Sequence, residues 1–347
     1  AMERGPGMLS WPHVEGAVDS ICIGEGPAAQ SYLDGERVIA AAIQTRCDAV
    51  HPGYGFLSEN SEFAKAVIAA GLVFVGPRPE TIAALGDKAR AKALMESAGV
   101  PVVPGGMGAS EQPEQIEEMV RSVGLPALLK PSAGGGGKGM QVITTLDGLR
   151  EAVASAIRVA RSSFGDGRLI VERYIEQPRH IEVQVFGDCH GSVVHLFERE
   201  CSLQRRHQKV VEEAPALSLP DTVRQQLVDA AVRGARSLGY LNAGTFEFIV
   251  GSDHGFYFLE VNTRLQVEHP VTECITGLDL VEWQLRVAAG EALPLAQEAI
   301  HWHGHAIECR IYAENPALDF RPSPGRVLAV RWPPGIRVDA GIVDGGV

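Results

Sequence analysis

The chain has 347 residues, 45% hydrophobic and 21% charged, a balance that supports about two or three packed domains. Its formal net charge of -12 excludes nonspecific binding to nucleic acid or anionic lipid, which both need a basic surface, so any phosphate recognition must be local. No stretch approaches the roughly 18 consecutive apolar residues of a membrane helix, and the opening AMERGPGMLSWPH lacks a secretion pattern, which points to the cytoplasm. The six cysteines, Cys22, Cys47, Cys189, Cys201, Cys274 and Cys309, form no CxxC pair. They are therefore expected as reduced, mostly buried thiols rather than a zinc cluster or a disulfide framework.

From Ile39 to Gly76 short apolar strands alternate with helices, as in part of an α/β domain. The run Asp87 to Ala98 favours a helix ended by Gly99 and Pro101, and a second helix ends near Gly124. Two strands between Leu128 and Ile143 flank SAGGGGKG, followed by a helix over about Leu149 to Ala160 and a strand at Leu169 to Arg173, a small separate α+β lobe. Ile181, Val183 and Val185 alternate with Glu182 and Gln184, the signature of an antiparallel strand with one wet face. A helix capped by Asp221 to about Leu238, a hairpin over Thr245 to Asn262 and a helix from about Asp279 to Ala289 complete the pattern. Strand and turn return from Ile307.

Glycines in AGGGGKGM, with Lys130 before them and Lys138 among them, let backbone N–H groups approach an anion, so a phosphate cover competes with a plain flexible hairpin tip. The run is not a P-loop, since Gly139 follows the lysine and a strand follows that. In GTFEFIVGSDHGFYFLEVN, a turn centred between Asp253 and His254 sets Glu247 directly opposite Glu260, with Asn262 on the same face. Facing carboxylates with an amide oxygen suit Mg²⁺ or Mn²⁺; a solvated sheet face is the alternative. If the strand continues through TRLQVEHPVTE, Arg264, Gln266 and Glu268 share one face: a guanidinium fork for a small planar anion, an orienting amide and a general base. The basic run QRRHQKVVEEAP is equally an attractor for polyphosphate or bicarbonate or a solvated stretch. His301, His303 and His305 alternate but have no companion ligand for zinc.

Seven strings in this order, HPGYGFLSEN, GDK, LLKPSAGGGGKGM, QPRHIEVQVFGD, SLQRRHQKVVEEAPA, GTFEFI and LEVNTRLQVEHPVTE, resemble the biotin carboxylase family from about His13 to Val347. The resemblance implies an ATP-grasp fold of mixed α/β and α+β class. Residues 1–85 would form a partial N-terminal, Rossmann-like pre-ATP-grasp domain, and 86–300 the ATP-grasp domain with a mobile lid at about 103–174. Residues 301–347 would begin the C-terminal domain. By resemblance, Lys88 and Lys130 contact ATP phosphates under a lid of Gly135, Gly136, Gly137 and Lys138, and Glu172 to Ile175 line the adenine pocket over Ile249. Glu247 and Glu260 match metal ligands supported by Asn262, while His180, His207 and Lys209 face the nucleotide. Arg264, Gln266 and the backbone of Val267 match the bicarbonate site, Glu268 the base and Arg310 the arginine beside the biotin enolate.

The implied reaction is ATP- and bicarbonate-dependent carboxylation of biotin through carboxyphosphate, with Mg²⁺ or Mn²⁺. The partners implied are a biotin carboxyl carrier domain and a carboxyltransferase subunit, in a homodimer or larger carboxylase complex. GLDLVEWQLRVAAGE leans toward an acyl-CoA carboxylase α subunit of the propionyl, methylcrotonyl or geranyl type. Relative to the family the sequence reads as truncated at both ends, which leaves a second reading, an inactive ATP-grasp fragment that binds nucleotide or serves assembly.

Overall fold

In a computed structural model of the chain, residues 2–3, 16–24, 27–106, 108–133, 138–206, 208–342 and 344–346 are described. The chain divides into two units, one of Ala1–Val50, Ala66–Val73 and Arg310–Val347, the other of His51–Lys65 and Phe74–Cys309. In the first unit β1 (Met2–Glu3) pairs in parallel with β2 (Ile21–Cys22), and α1 (Gly35–Gln44) leads to β3 (Ala49–Val50). Asp34 caps α1 by accepting from the Arg37 N–H, and the helix buries Val38, Ala41 and Ala42 along one stripe. After α2 (Ser61–Ala69) the chain returns beside β3 at β4 (Val73–Phe74), where the Val73 N–H donates to the Asp48 carbonyl at 2.9 Å.

The second unit carries the layers that matter for chemistry. Its first helices are α3 (Pro79–Gly86) and α4 (Lys88–Ser97), the latter capped by Asp87 and ended at Gly99, whose φ of 72° is the left-handed conformation glycine permits. A three-stranded layer follows, β5 (Ala127–Pro131) between β6 (Gln141–Ile143) and β7 (Leu169–Arg173). Against it pack α5 (Pro113–Val123) and α6 (Leu149–Phe164), which contribute Ile116, Val120, Val153, Ala156 and Ala160 to a core with Leu129, Leu169 and Val171.

The larger sheet is antiparallel throughout, in the order β12 (Phe256–Asn262), β11 (Asn242–Val250), β8 (Arg179–Gly187), β9 (Val193–Arg205), β10 (Gln208–Ala214) and β13 (Ala306–Cys309). Because strand side chains alternate in direction, Ile181, Val183, Val185, Phe246, Phe248 and Val261 all point to one face. There they meet α7 (Asp221–Ser237) and Met95 of α4. A Cβ at Gly234 would lie 2.7 Å from the Met95 sulfur and 3.0 Å from Phe246 Cε1, so that position lets α7 settle close on the sheet. The opposite face is split. Phe186, Leu196 and Ala243 are covered by Leu280, Trp283 and Val287 of α9 (Leu280–Ala288), which follows α8 (His269–Thr276), while the other end of that face is polar.

Three expectations need correction. Glu182 and Gln184 do not make a wet face: both are 0% exposed, because the polar end of the sheet is roofed by the chain around α8 and filled by charged partners. Pro220, not Asp221, is the N-cap of α7, and Asp221 is its first helical residue. Only Cys201 among the six free thiols is buried; Cys189 sits on a turn, Cys274 on an outward helix face and Cys309 on the edge strand β13. In the first unit β14 (Glu314–Asn315) and β15 (Arg321–Pro322) form a hairpin. Among the described residues no helix is long and apolar enough to cross a membrane.

Phe246 is 0% exposed and stacks edge-on against Tyr240, with centroids 6.0 Å apart. Phe246→Ala is expected to lower the unfolding free energy by about 3–5 kcal/mol, measured by chemical denaturation followed by far-UV circular dichroism.

Candidate active site

Strand register assembles a row of four charges on the polar end of the sheet: Glu260 faces Glu247, Glu247 faces Glu182, and Glu182 faces Arg199. The expected opposition of Glu247 and Glu260 is present, as is that of Thr245 and Asn262. Toward the turn the register slips, since Phe248 pairs with Phe258 and leaves Leu259 as a bulge. Like charges so aligned repel unless cations enter between them.

Lys209, reaching in from β10, is one such cation. Its Nζ donates to Glu247 Oε1 at 2.8 Å, to Glu268 Oε1 at 2.7 Å and, in a third short contact, to Glu182 Oε2. Burial opposes its charge, but the carboxylates outweigh that and hold the ammonium well above its ordinary pKa. Glu247 is likewise disfavoured as an anion by burial, yet Lys209 and His180 pull it well below the usual carboxylate range. His180 Nε2 lies 2.9 Å from Glu247 Oε2; burial lowers the imidazole's pKa, and Glu247 more than reverses this. The His180 Nδ1 is 2.8 Å from the Gln204 amide nitrogen, which sets the ring's orientation.

Arg264, Gln266 and Glu268 do come together, though not by strand alternation. β12 ends at Asn262, residues 263–268 form a loop, and Glu268 is the N-cap of α8. Its carboxylate makes no capping hydrogen bond there and is directed to Lys209 instead. Arg264 donates from Nη1 to Gln266 Oε1 at 3.0 Å and from Nη2 to Asn262 Oδ1 at 3.1 Å, while Asn262 Nδ2 donates to Glu247 Oε1 at 2.7 Å. Glu59 holds this loop from outside, accepting from the Thr263 N–H at 3.1 Å and lying 3.3 Å from Arg264 Nε. Val267 occupies the turn before α8.

Lys88 Nζ donates to Glu260 Oε2 at 2.7 Å. Further along, Glu172 on β7 is clamped by Lys130 at 2.5 Å and Lys92 at 3.1 Å; burial works against its charge, but the two lysines hold its carboxyl below the usual range. Beside them a cavity of about 300 Å³ is lined by Pro126, Tyr174, Ile175, Gly251 and Tyr257. Ile249 pairs with Tyr257 on one side and His180 on the other, so β11 joins this cavity to the charged row. Lys138 is exposed; Gly135, Gly136, Gly137 and His207 lie outside the described residues, and Arg310 belongs to the other unit.

The donor set of Glu247, Glu260 and Asn262, all oxygen and already sharing hydrogen bonds with Lys209, Lys88 and one another, fits a hard divalent cation. His180, Glu182 and Glu247 also bring ligand atoms within 4.8 Å of one another. His301 and His303 are exposed and precede β13, and His305 is spent on Glu213 at 2.8 Å, so they gather no site. The sequence reading missed Glu59, Glu182, Arg199 and Gln204. Glu59, Glu182 and Gln204 fall within the strings that carry the resemblance, and polar alternation marked Glu182 as well; Arg199 lies outside those strings.

Residues 9–82 match the family described as "Biotin carboxylase, N-terminal domain", 87–296 "Carbamoyl-phosphate synthase L chain, ATP binding domain" and 308–347 "Biotin carboxylase C-terminal domain". The chain is 51% identical over 337 residues to the mitochondrial methylcrotonoyl-CoA carboxylase subunit alpha of Oryza sativa subsp. japonica, covering 96% of this chain and 46% of that protein. It is 50% identical to the biotin carboxylase of Halalkalibacterium halodurans, covering 96% of this chain and 74% of that one. Its fold is similar to the biotin carboxylase domain dimer of Hydrogenobacter thermophilus 2-oxoglutarate carboxylase, solved with MgADP, ADP and bicarbonate. That likeness has a TM-score of 0.94 at 44% identity and covers 99% of this chain and 76% of that one. The chain thus spans about half the length of the carboxylase alpha subunit it matches.

Lys130 is only 3% exposed, so Glu172→Gln strips a buried ammonium of its main counter-charge. An unfolding free-energy loss of about 3–5 kcal/mol is expected by urea denaturation. Because the Glu172 carboxyl is held below its ordinary value of 4.5, the difference between the two proteins should be full above that pH and vanish as pH falls through the lowered value.

Proposed function

Because the chain belongs to the biotin carboxylase family, we propose that it carboxylates biotin on a carrier protein, using ATP and bicarbonate by way of carboxyphosphate. The observation that carries this reading is Lys209, held at once by Glu268 and Glu247, with Arg264, Asn262 and Gln266 linked into the same cluster. A phosphate-facing cation, a base and an anion-binding fork are what joining bicarbonate to a phosphoryl group needs.

In the first step Arg264, Gln266 and the Val267 backbone hold bicarbonate, and Glu268 removes its proton. The freed oxygen attacks the γ-phosphorus, the bond to the β-phosphate oxygen breaks, and ADP leaves. Lys209, Lys88 and Lys130 spread the charge on the transferring group, and His180, set by Gln204, lies on the nucleotide side. Mg²⁺ or Mn²⁺ held by Glu247, Glu260 and Asn262 would neutralise phosphate charge. The cavity at Tyr174 and Ile175, with Ile249 beside it, takes the base, and the glycine run with Lys138 covers the phosphates.

Carboxyphosphate then splits to CO₂ and phosphate, and the phosphate takes the ureido proton of biotin. The biotin enolate, stabilised by Arg310, forms the new C–N bond with CO₂. The residue division 1–85, 86–300 and 301–347 follows from the same reading and is supported by the three family matches. Similarity to a methylcrotonoyl-CoA carboxylase alpha subunit favours an acyl-CoA carboxylase setting, with a carrier domain and a carboxyltransferase as partners.

The test is ADP release with bicarbonate and free biotin supplied or withheld. Bicarbonate-dependent release is expected, with Glu268→Ala lowering kcat about 10²–10⁴-fold. Hydrolysis that ignores bicarbonate and survives the substitution sinks the mechanism.

A further inference from the structure

Arg199 donates its four hydrogen bonds to none of the groups assigned to substrate, although the Glu268 charge is felt there, and it is the largest fully buried side chain among the described residues. Its guanidinium reaches four acceptors on three elements. Nε donates to Glu182 Oε1 at 2.6 Å, Nη1 to Gln184 Oε1 at 3.0 Å and to Thr272 Oγ1 at 2.8 Å, and Nη2 to Thr245 Oγ1 at 3.3 Å. Glu182 and Gln184 are on β8, Thr245 is on β11 and Thr272 is on α8.

Two of these hydrogen bonds lead to the reaction centre. Glu182 gives one carboxylate oxygen to Arg199 and the other to Lys209, so the guanidinium anchors the carboxylate that tethers the lysine. Thr272 stands four residues after Glu268, about one helical turn, so holding its hydroxyl sets the height and rotation of the helix end that presents the base. Arg199 therefore grips, through separate nitrogens, the supports of Lys209 and of Glu268, which meet at 2.7 Å. A planar fork with fixed donor directions can do this; a single ammonium or an apolar side chain cannot.

Resting on the function proposed above, we infer that Arg199 is a positioning residue for carboxyphosphate formation, setting the spacing between Lys209 and Glu268. A buried ion pair needed only for folding could be exchanged for neutral groups of similar volume at little cost. A positioning role predicts instead a folded protein that is slow. Nucleotide binding also draws on the Lys130 and Glu172 clamp and the cavity beside it, none of which Arg199 touches, so it should change far less than the rate.

The experiment compares the wild-type chain with Arg199→Lys, which keeps the charge but loses the fork, and with the double variant Arg199→Met, Glu182→Gln, which leaves no bare buried carboxylate if the single variant fails to fold. Bicarbonate-dependent kcat per nucleotide-binding site should fall about 10²-fold in each folded variant, with KM for ATP changing far less. Crystals of the variants should show the Lys209 ammonium and the Glu268 carboxylate moved out of hydrogen-bond reach. Unchanged kcat, or a Lys209–Glu268 hydrogen bond that survives in the variants, overturns the inference. A wild-type chain that binds nucleotide but releases no ADP sinks the proposed reaction instead, and the crystallographic separation of Lys209 and Glu268 then decides the positioning claim by itself.

Discussion

Three carboxylates converge on the single ammonium of Lys209 in a largely buried region, and the rest of the site is arranged around that fact. A lone buried ion costs several kcal/mol after relaxation, so none of Glu182, Glu247 or Glu268 can sit there bare. At an effective dielectric of about 20, a pair of unit charges 4 Å apart gains about 4 kcal/mol, enough to hold such a cluster together only if each oxygen is also hydrogen-bonded. Arg199 behind Glu182, His180 and Asn262 on Glu247, and Lys88 on Glu260 supply those bonds.

The sheet makes this possible by dividing its labour. One face is apolar along its length and is sealed by α7 and α4, which fixes the strands rigidly. The other face is apolar only where α9 covers it, and at the remaining end the same alternation delivers charges in a row. Rigid strands carry the metal-type oxygens and the lysine, while a loop and a helix start carry Arg264, Gln266 and Glu268. The base therefore depends on how α8 is seated, which is why a hydrogen bond to Thr272 reaches the chemistry.

Glu247 opposite Glu260 was legible because both strands and their turn are contiguous in the chain, and local pairing needs only the turn's position. The bulge at Leu259 was not, since nothing in the apolar run FYFLEV distinguishes one register from the next. Arg264, Gln266 and Glu268 were read as neighbours for a wrong reason: their spacing suits a strand, but β12 already ends at Asn262 and the chain runs through a loop into α8, whose first turn holds Pro270.

Alternation, turn residues and the chain of motifs determined the order of strands and helices, the hairpin carboxylates and the resemblance that names the reaction. Only the tertiary structure decided that Glu182 and Gln184 are buried rather than wet, that Lys209 meets Glu268 across 59 residues of sequence, and that Arg199 stands behind both. The physical reason is that a strand's pattern says which side chains share a face, whereas the packing of distant elements says what that face meets.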